Sequence, residues 1–335
     1  MLPLLDPTTR ALLGRVGQAC RDAVLRSPKL PCAGRTVGVP LRVKEFILSV
    51  QLLAWAKANG CQWDANVCAR VAWAGQLEVL RWARDHHCPW NTRTCTLAAQ
   101  KGHLAVLKWA REHGCEWNAE TCSCAAVGGH LEVLKWAREK GCEWDARTCE
   151  RAALGGQLEV LIWARGQHCE WDVATCKAAA QGGHLEVLRW ARENHCPWDW
   201  ETCASAARAG HLEVLKWALE RGCPAGDAGS VCAHAALGGQ LEVLRWLREH
   251  DYPWDADACA NAAGGGHLET LKWLRAHHCP WNAWSCADAA QGGHLDVLKW
   301  LREHDCSWDA DTVERATAAG HADVLQWALD NGCPS

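Results

Sequence analysis

Residues Gly129-His130-Leu131-Glu132-Val133-Leu134-Lys135-Trp136-Ala137-Arg138-Glu139 decide the fold, because the chain repeats them with light edits from end to end. With the tryptophan as marker, copies stand at Trp55, Trp82, Trp109, Trp136, Trp163, Trp190, Trp217, Trp246, Trp273, Trp300 and Trp327. The step is 27 residues except from Trp217 to Trp246, where it is 29. A fixed period in this range marks a solenoid, whose units bury their apolar faces against neighbouring copies.

Outward from that stretch, each unit reads as two short helices. Asp or Asn opens the first, at Asp64, Asn91, Asn118, Asp145, Asp172, Asp199, Asp255, Asn282 and Asp309. Such residues are N-caps, whose side chains satisfy orphan backbone N–H groups. The first helix is lined with Cys and Ala, small enough for close approach, and a glycine turn follows. The second helix sets Leu131, Leu134 and Ala137 three apart, with Val133 and Trp136 beside them, which predicts one apolar face. Glu132 and Lys135 pair on the wet side, worth about 0.2–0.5 kcal/mol. Each second helix is followed by Gly60, His87, Gly114, Gly141, His168, His195, Gly222, Asp251, His278, Asp305 or Gly332. These residues enter the left-handed region more readily than most, as a helix C′ position requires.

The units resemble ankyrin repeats. Gly129-His130-Leu131-Glu132-Val133 matches the start of the ankyrin second helix, and Gly141-Cys142-Glu143-Trp144 stands where ankyrins carry Gly-Ala-Asp-Val. The resemblance covers residues 44–335. Ankyrin repeats run about 33 residues, and the shortfall here lies between Asn118 and Thr121, where the β-hairpin finger would be. The resemblance implies an all-α, right-handed α-solenoid of stacked helix-turn-helix repeats lacking those fingers. Residues 42–335 are expected to hold one lone helix and ten helix pairs. Near 223–232 the repeat is irregular: two residues are added, the loop Trp is missing, and Tyr252 replaces the next Cys. A bend or mobile loop is expected there. Val313 for Cys and Ala322 for Leu erode the last pair, as suits a cap.

Residues 1–41 read as a helical cap and linker, with Pro28, Pro31 and Pro40 in the linker. Leu5-Asp6-Pro7, Leu12, Val16 and Arg21-Asp22-Ala23-Val24 resemble the latter half of an F-box, the module that docks on the Skp1 subunit of ubiquitin ligases. The first F-box helix is absent and Cys20 stands where that family usually has Trp. A plain capping helix is the other reading.

Composition narrows the function classes. A net charge of −4 over 335 residues offers no basic stripe for nucleic acid. No cationic start precedes an apolar core, and Ser49 and Gln51 interrupt the longest apolar stretch, Phe46 to Ala56. A soluble, monomeric protein of the cytoplasm, or the nucleus, is expected, without membrane contact and with most of its 22 Cys as thiols.

Recurrence also decides the chemistry. Cysteines lack the clustered spacing of zinc ligands and read as small buried hydrophobes. His103, His130, His184, His211, His267, His294 and His321 share a position with Gln76, Gln157 and Gln240, so hydrogen bonding, not base catalysis, is their task. Trp136 and its equivalents are expected in the core; the loop set, such as Trp63, Trp90 and Trp144, is expected to seal gaps between repeats. No phosphate-cradling loop, catalytic triad or carboxylate pair breaks the pattern, so no enzyme, cofactor or metal site is expected. A thiol-dependent enzyme is the disfavoured alternative, since no Cys has its own base.

Function is therefore expected where the copies differ. The variable first-helix and loop positions give Arg70, Trp73, Glu150, Arg151, Lys177, Trp200, Arg208, His234, Asn261, Trp284 and Asp288 as candidate partner-binding residues. The reading is a non-catalytic protein–protein interaction scaffold for an unidentified protein. The alternative is a substrate adaptor of a ubiquitin ligase, with a Skp1-like protein as second partner.

Overall fold

A computed structural model describes residues 46–58, 61–227 and 229–334. The F-box-like segment, the linker and the expected boundary at 41/42 lie outside those residues. Among the described residues every regular element is a helix, and none is long and apolar enough to cross a membrane. The fold is all-α and consistent with an ankyrin-like α-solenoid whose finger strands are missing.

Contacts divide the chain into two compact units, Met1–Glu170 and Trp171–Ser335. The first holds the lone helix Val50–Ala58 and the pairs Ala65–Trp73/Leu77–Asp85, Thr92–Gln100/Leu104–Glu112, Ala119–Val127/Leu131–Glu139 and Ala146–Leu154/Leu158–Gly166. The second holds Val173–Gln181/Leu185–Glu193, Trp200–Ala209/Leu212–Glu220, Ser230–Leu237/Leu241–Glu249, Ala256–Gly264/Leu268–Ala276, Ala283–Gln291/Leu295–Glu303 and Ala310–Ala319/Ala322–Asp330. Within each unit, first helices pack chiefly on first helices and then on their own second helix. Small side chains make this possible: Cys122, Ala125 and Ala126, for example, are wholly buried.

The helix ends follow the sequence. Seven N-caps, Asp64, Asn91, Asp145, Asp172, Asp199, Asp255 and Asn282, accept a backbone N–H two residues on; Asn118 and Asp309 hold the same extended backbone without that bond. At C′, His87, His168, His195, Asp251, His278 and Asp305 all have positive φ, between 57° and 65°. Their N–H groups bond back into the last turn, as His87 does to the Arg84 carbonyl at 2.9 Å.

The core differs from expectation in one respect. Val133, Leu134 and Ala137 are buried on the second helix, whereas Leu131 and Trp136 are only half-buried. The buried face is centred on Leu134, and the Trp stands at its outer edge. A layer filled by Cys and Ala leaves no room for an indole, and the Trp136 ring meets Trp117 edge-to-face at 5.6 Å instead.

In the irregular repeat, the two extra residues are taken up by a turn. Ser230 N–H donates to the Asp227 carbonyl at 3.0 Å, and Gly229, at φ 95°, replaces the usual Asp or Asn as N-cap. Tyr252 packs on Trp246, with ring centroids 6.0 Å apart.

Candidate partner-binding surface

The second helices present an outer face whose recurring Arg and Trp hold the repeat together. Arg138 Nη1 donates to the Cys142 carbonyl at 2.5 Å while its guanidinium lies 4.2 Å from the Trp144 ring centroid. Trp144 in turn meets Trp163 edge-on at 5.8 Å. The loop Trp is thus held between the Arg of one second helix and the Trp of the next, which seals the gap as expected. Arg84 with Trp90, Arg192 with Trp198 and Arg275 with Trp281 repeat the clamp at 4.1, 4.2 and 3.9 Å. The residues that sequence reasoning missed are these arginines. One signal could have found them: Leu219 replaces the Arg in the one interior repeat whose following loop lacks a Trp.

The histidines are structural in two ways. His130 Nε2–H donates to the Gln100 carbonyl at 3.1 Å, and His103, His211, His267 and His321 bond to the preceding copy in the same manner at 3.0–3.1 Å. Gln240 makes the equivalent bond to the Arg208 carbonyl at 3.2 Å, whereas Gln157 donates to the Gly155 carbonyl of its own turn at 2.8 Å. Burial holds the His130 imidazole below its usual pKa. A second set, His86, His113, His250, His277 and His304, donates from Nδ1 to the Trp carbonyl four residues earlier at 2.8 Å. These rings lie against the same Trp, with centroids 4.0–4.3 Å apart.

The cysteines also have more than bulk to contribute. The thiol of Cys142 donates to the Asn118 carbonyl at 3.3 Å, tying the loop to the start of its own pair. Cys115, Cys169 and Cys279 do likewise at 3.3–3.4 Å. Against the loop thiols of the interior repeats, though not against Cys333, where Val313 stands instead, lies a first-helix thiol twenty residues earlier, as Cys122 lies against Cys142. That neighbour, and then burial, push the Cys122 thiol up from its ordinary value. Cys232, whose partner position holds Tyr252, is pushed up to about 12, chiefly by burial. Both thiols of the Cys122/Cys142 pair are wholly buried, so a nucleophile there would have no access to substrate.

The first helices present the opposite situation. Positions 2, 6 and 9 of a first helix share one outward face, and there, and at the neighbouring positions that Trp200, Glu150 and Lys177 occupy, the copies diverge. Arg70, Arg151 and Arg208 are exposed; Glu150, Lys177, His234, Asn261 and Asp288 are half-buried. The three off-register tryptophans are exposed, Trp73 at 47%, Trp200 at 39% and Trp284 at 54%. Several candidates meet a neighbour. Lys177 pairs with Glu201, and Trp200 meets His234 edge-on at 5.7 Å. Asn261 donates to the Ala233 carbonyl at 3.2 Å, and Lys101 lies 5.0 Å from the Trp73 ring. Arg315 pairs with Asp288 and lies 5.6 Å from the Trp284 ring. Burial raises the Asp288 carboxyl above the usual range, with Arg315 opposing. The candidates fall into two groups: Arg70, Trp73, Glu150 and Arg151 in the first unit, the rest in the second.

No protein-family model matches the sequence, and no curated protein matches it. Among solved structures, the chain is similar to the human ASB11 ankyrin repeat domain, at 18% identity and a TM-score of 0.39, over 47% of this chain and 83% of that one. It is similar to the pentatricopeptide repeat protein PPR10, solved with an 18-nt psaJ RNA element, at 16% identity and a TM-score of 0.37. That match covers 98% of this chain but 56% of PPR10, so this chain spans about half of PPR10's length.

Proposed function

We propose that the chain is a non-catalytic scaffold that binds a partner protein through the outward positions of its first helices. One observation carries the reading. The second-helix faces repeat the same Arg, Trp and His and spend them on contacts within and between copies, whereas first-helix positions 2, 6 and 9 are mostly exposed or half-exposed and vary widely among copies. A surface under structural duty stays uniform; a surface free of it can be shaped to a partner. The three exposed tryptophans, all on first helices, supply the aromatic anchors on which protein interfaces depend.

Photo-crosslinking in the native cell tests this. A photoreactive amino acid at position 70, 151, 208 or 261 is expected to capture a partner, and one at position 132 or 213, on second helices, is not. Capture from the second-helix positions alone would reverse the assignment. The adaptor role in a ubiquitin ligase rests on residues 5–24 of the sequence, and recovery of Skp1 with the full chain, lost when residues 1–41 are deleted, is its separate test.

A further inference from the structure

We propose that the first-helix face of the first unit docks an acidic segment of a partner protein that also carries aliphatic side chains. The inference deepens the scaffold reading and rests on it. Across the four first helices the outward trios are Asn66-Arg70-Trp73, Arg93-Leu97-Gln100, Glu120-Cys124-Val127 and Arg147-Arg151-Leu154. Spacings of four and three place each trio on one side of its helix. Leu97, Cys124, Val127 and Leu154 are half-buried and give the face an aliphatic interior. Arg70, Arg93, Arg147 and Arg151 are all exposed around it.

The charge of this face is unbalanced. With Lys101 and Glu150 included, it carries five cations against two carboxylates. Among the described residues, Arg70, Lys101 and Arg151 have no carboxylate within ion-pair distance. Arg93 donates to the Asn66 side chain at 3.0 Å, and Arg147 reaches only its own N-cap, Asp145, at 3.4 Å. The second unit is unlike it. There the same face carries Glu201, Asp257, Asp288, Asp311 and Glu314 against three cations, and two of those cations are already paired, Lys177 with Glu201 and Arg315 with Asp288. The cationic surplus therefore belongs to one unit.

The interior of the face chooses between the two polyanions that could answer it. Single-stranded nucleic acid is held by successive aromatic rings on which bases stack. Trp73 is the one ring on this face, and Lys101 already lies over it. An aliphatic strip among guanidinium groups instead suits Leu, Ile or Val side chains set between Asp and Glu, with guanidinium forks for the carboxylates.

A random peptide library displayed on phage and selected against the full chain tests the proposal. Enriched peptides are expected to combine Asp and Glu with aliphatic residues. The best of them, synthesised, should lose affinity about tenfold or more on Arg70→Glu/Arg151→Glu, and less on Arg70→Gln/Arg151→Gln. It should also weaken as salt is added. Lys177→Glu/Arg208→Glu, in the second unit, should leave it unchanged, and circular dichroism checks that every variant is folded. Peptides without acidic enrichment, or affinity indifferent to Arg70 and Arg151, would overturn the proposal. So would an oligouridine RNA that binds more tightly than the peptide and competes with it, or a concentration-dependent dimer abolished by the same reversal. Peptides that bind only through the second unit's first helices would remove the charge inference and leave the scaffold reading standing. Peptides insensitive to first-helix changes in either unit would remove both.

Discussion

Gly102 and Gly114 have nearly the same backbone, φ +75° and +82°, yet replacing each by Ala should cost very different amounts. Both substitutions force an L side chain into the left-handed region, at about 1 kcal/mol. At Gly114 that is the whole cost, because a Cβ there meets nothing within 4 Å. At Gly102 the new Cβ would lie 2.5 Å from His130 Nδ1, the imidazole that bonds to the Gln100 carbonyl. The ring must move, and its hydrogen bond, worth about 1 kcal/mol, goes with it. Gly102→Ala should therefore cost about 2–3 kcal/mol against about 1 for Gly114→Ala. His130→Ala alone should cost about 1 kcal/mol, and once it is made Gly102→Ala should cost only the backbone strain, about 1 kcal/mol. Urea unfolding followed by Trp fluorescence gives the energies. Amide exchange over residues 92–139 shows whether the loss is local, which matters because repeat arrays can unfold in parts. Equal costs at the two glycines, or simple additivity with His130→Ala, would refute the account of the histidines as staples between copies.

Other expectations follow from the same geometry. Arg138→Ala should destabilise by about 1–2 kcal/mol through loss of the carbonyl bond and the cation–π contact, and Arg138→Lys should restore it only in part, since Lys57 at the equivalent position reaches a carbonyl and, at a longer 4.9 Å, its loop Trp; thermal melts measure this. Thr121→Val should be neutral or slightly stabilising in urea melts, because the buried Thr121 hydroxyl has no oxygen or nitrogen partner and Val67 and Val231 occupy the same position. Thiol labelling of folded protein, read by peptide mass, should modify Cys61 and Cys124 well before the buried Cys95 or Cys122. With its folded pKa below 6.5, His130 binds fewer protons folded than unfolded. Its contribution is present above that value and is lost as pH falls through the window just below it, so His130→Gln should flatten the stability profile between about pH 7 and 5.

The sequence made the fold legible because copying turns weak signals into strong ones. One Asp before a helix is a hint, but nine Asp or Asn at one phase amount to an N-cap rule, and the left-handed His and Asp residues follow in the same way. The placement of Trp136 was not legible. Its spacing from Val133 says which helix face it borders, but only the volume left by Cys122, Ala125 and Ala126 says how far inside that face an indole can go. The thiol pairing was hidden for a related reason. Cys115 and Cys122 look associated because they are seven apart, whereas the fold brings together Cys122 and Cys142, from the first helix and the closing loop of one pair. The candidate surface was half legible. Divergence between copies located it, but which charges neutralise one another, as Asp288 and Arg315 do, depends on positions 27 residues apart meeting side by side.

The two helix faces should respond differently when repeats are mixed. Arg93, Leu97 and Gln100 could replace Glu120, Cys124 and Val127 in the next first helix, altering the face while touching none of the staple, clamp or thiol contacts that hold that pair. Exposed and half-exposed positions of this kind usually shift stability by no more than about 0.5 kcal/mol each. The exchange removes the one carboxylate of the trios, Glu120, and adds a guanidinium, so it should strengthen an acidic ligand. The matching exchange on a second helix, the Lys of Lys135 in place of the exposed Ile162 of Leu158–Gly166, changes an outer second-helix face and should leave binding alone. Urea melts and peptide affinity, measured on both chimaeras, separate the outcomes. Altered binding from the second-helix exchange, with none from the first, would mean that partner recognition had been placed on the wrong side of the repeat.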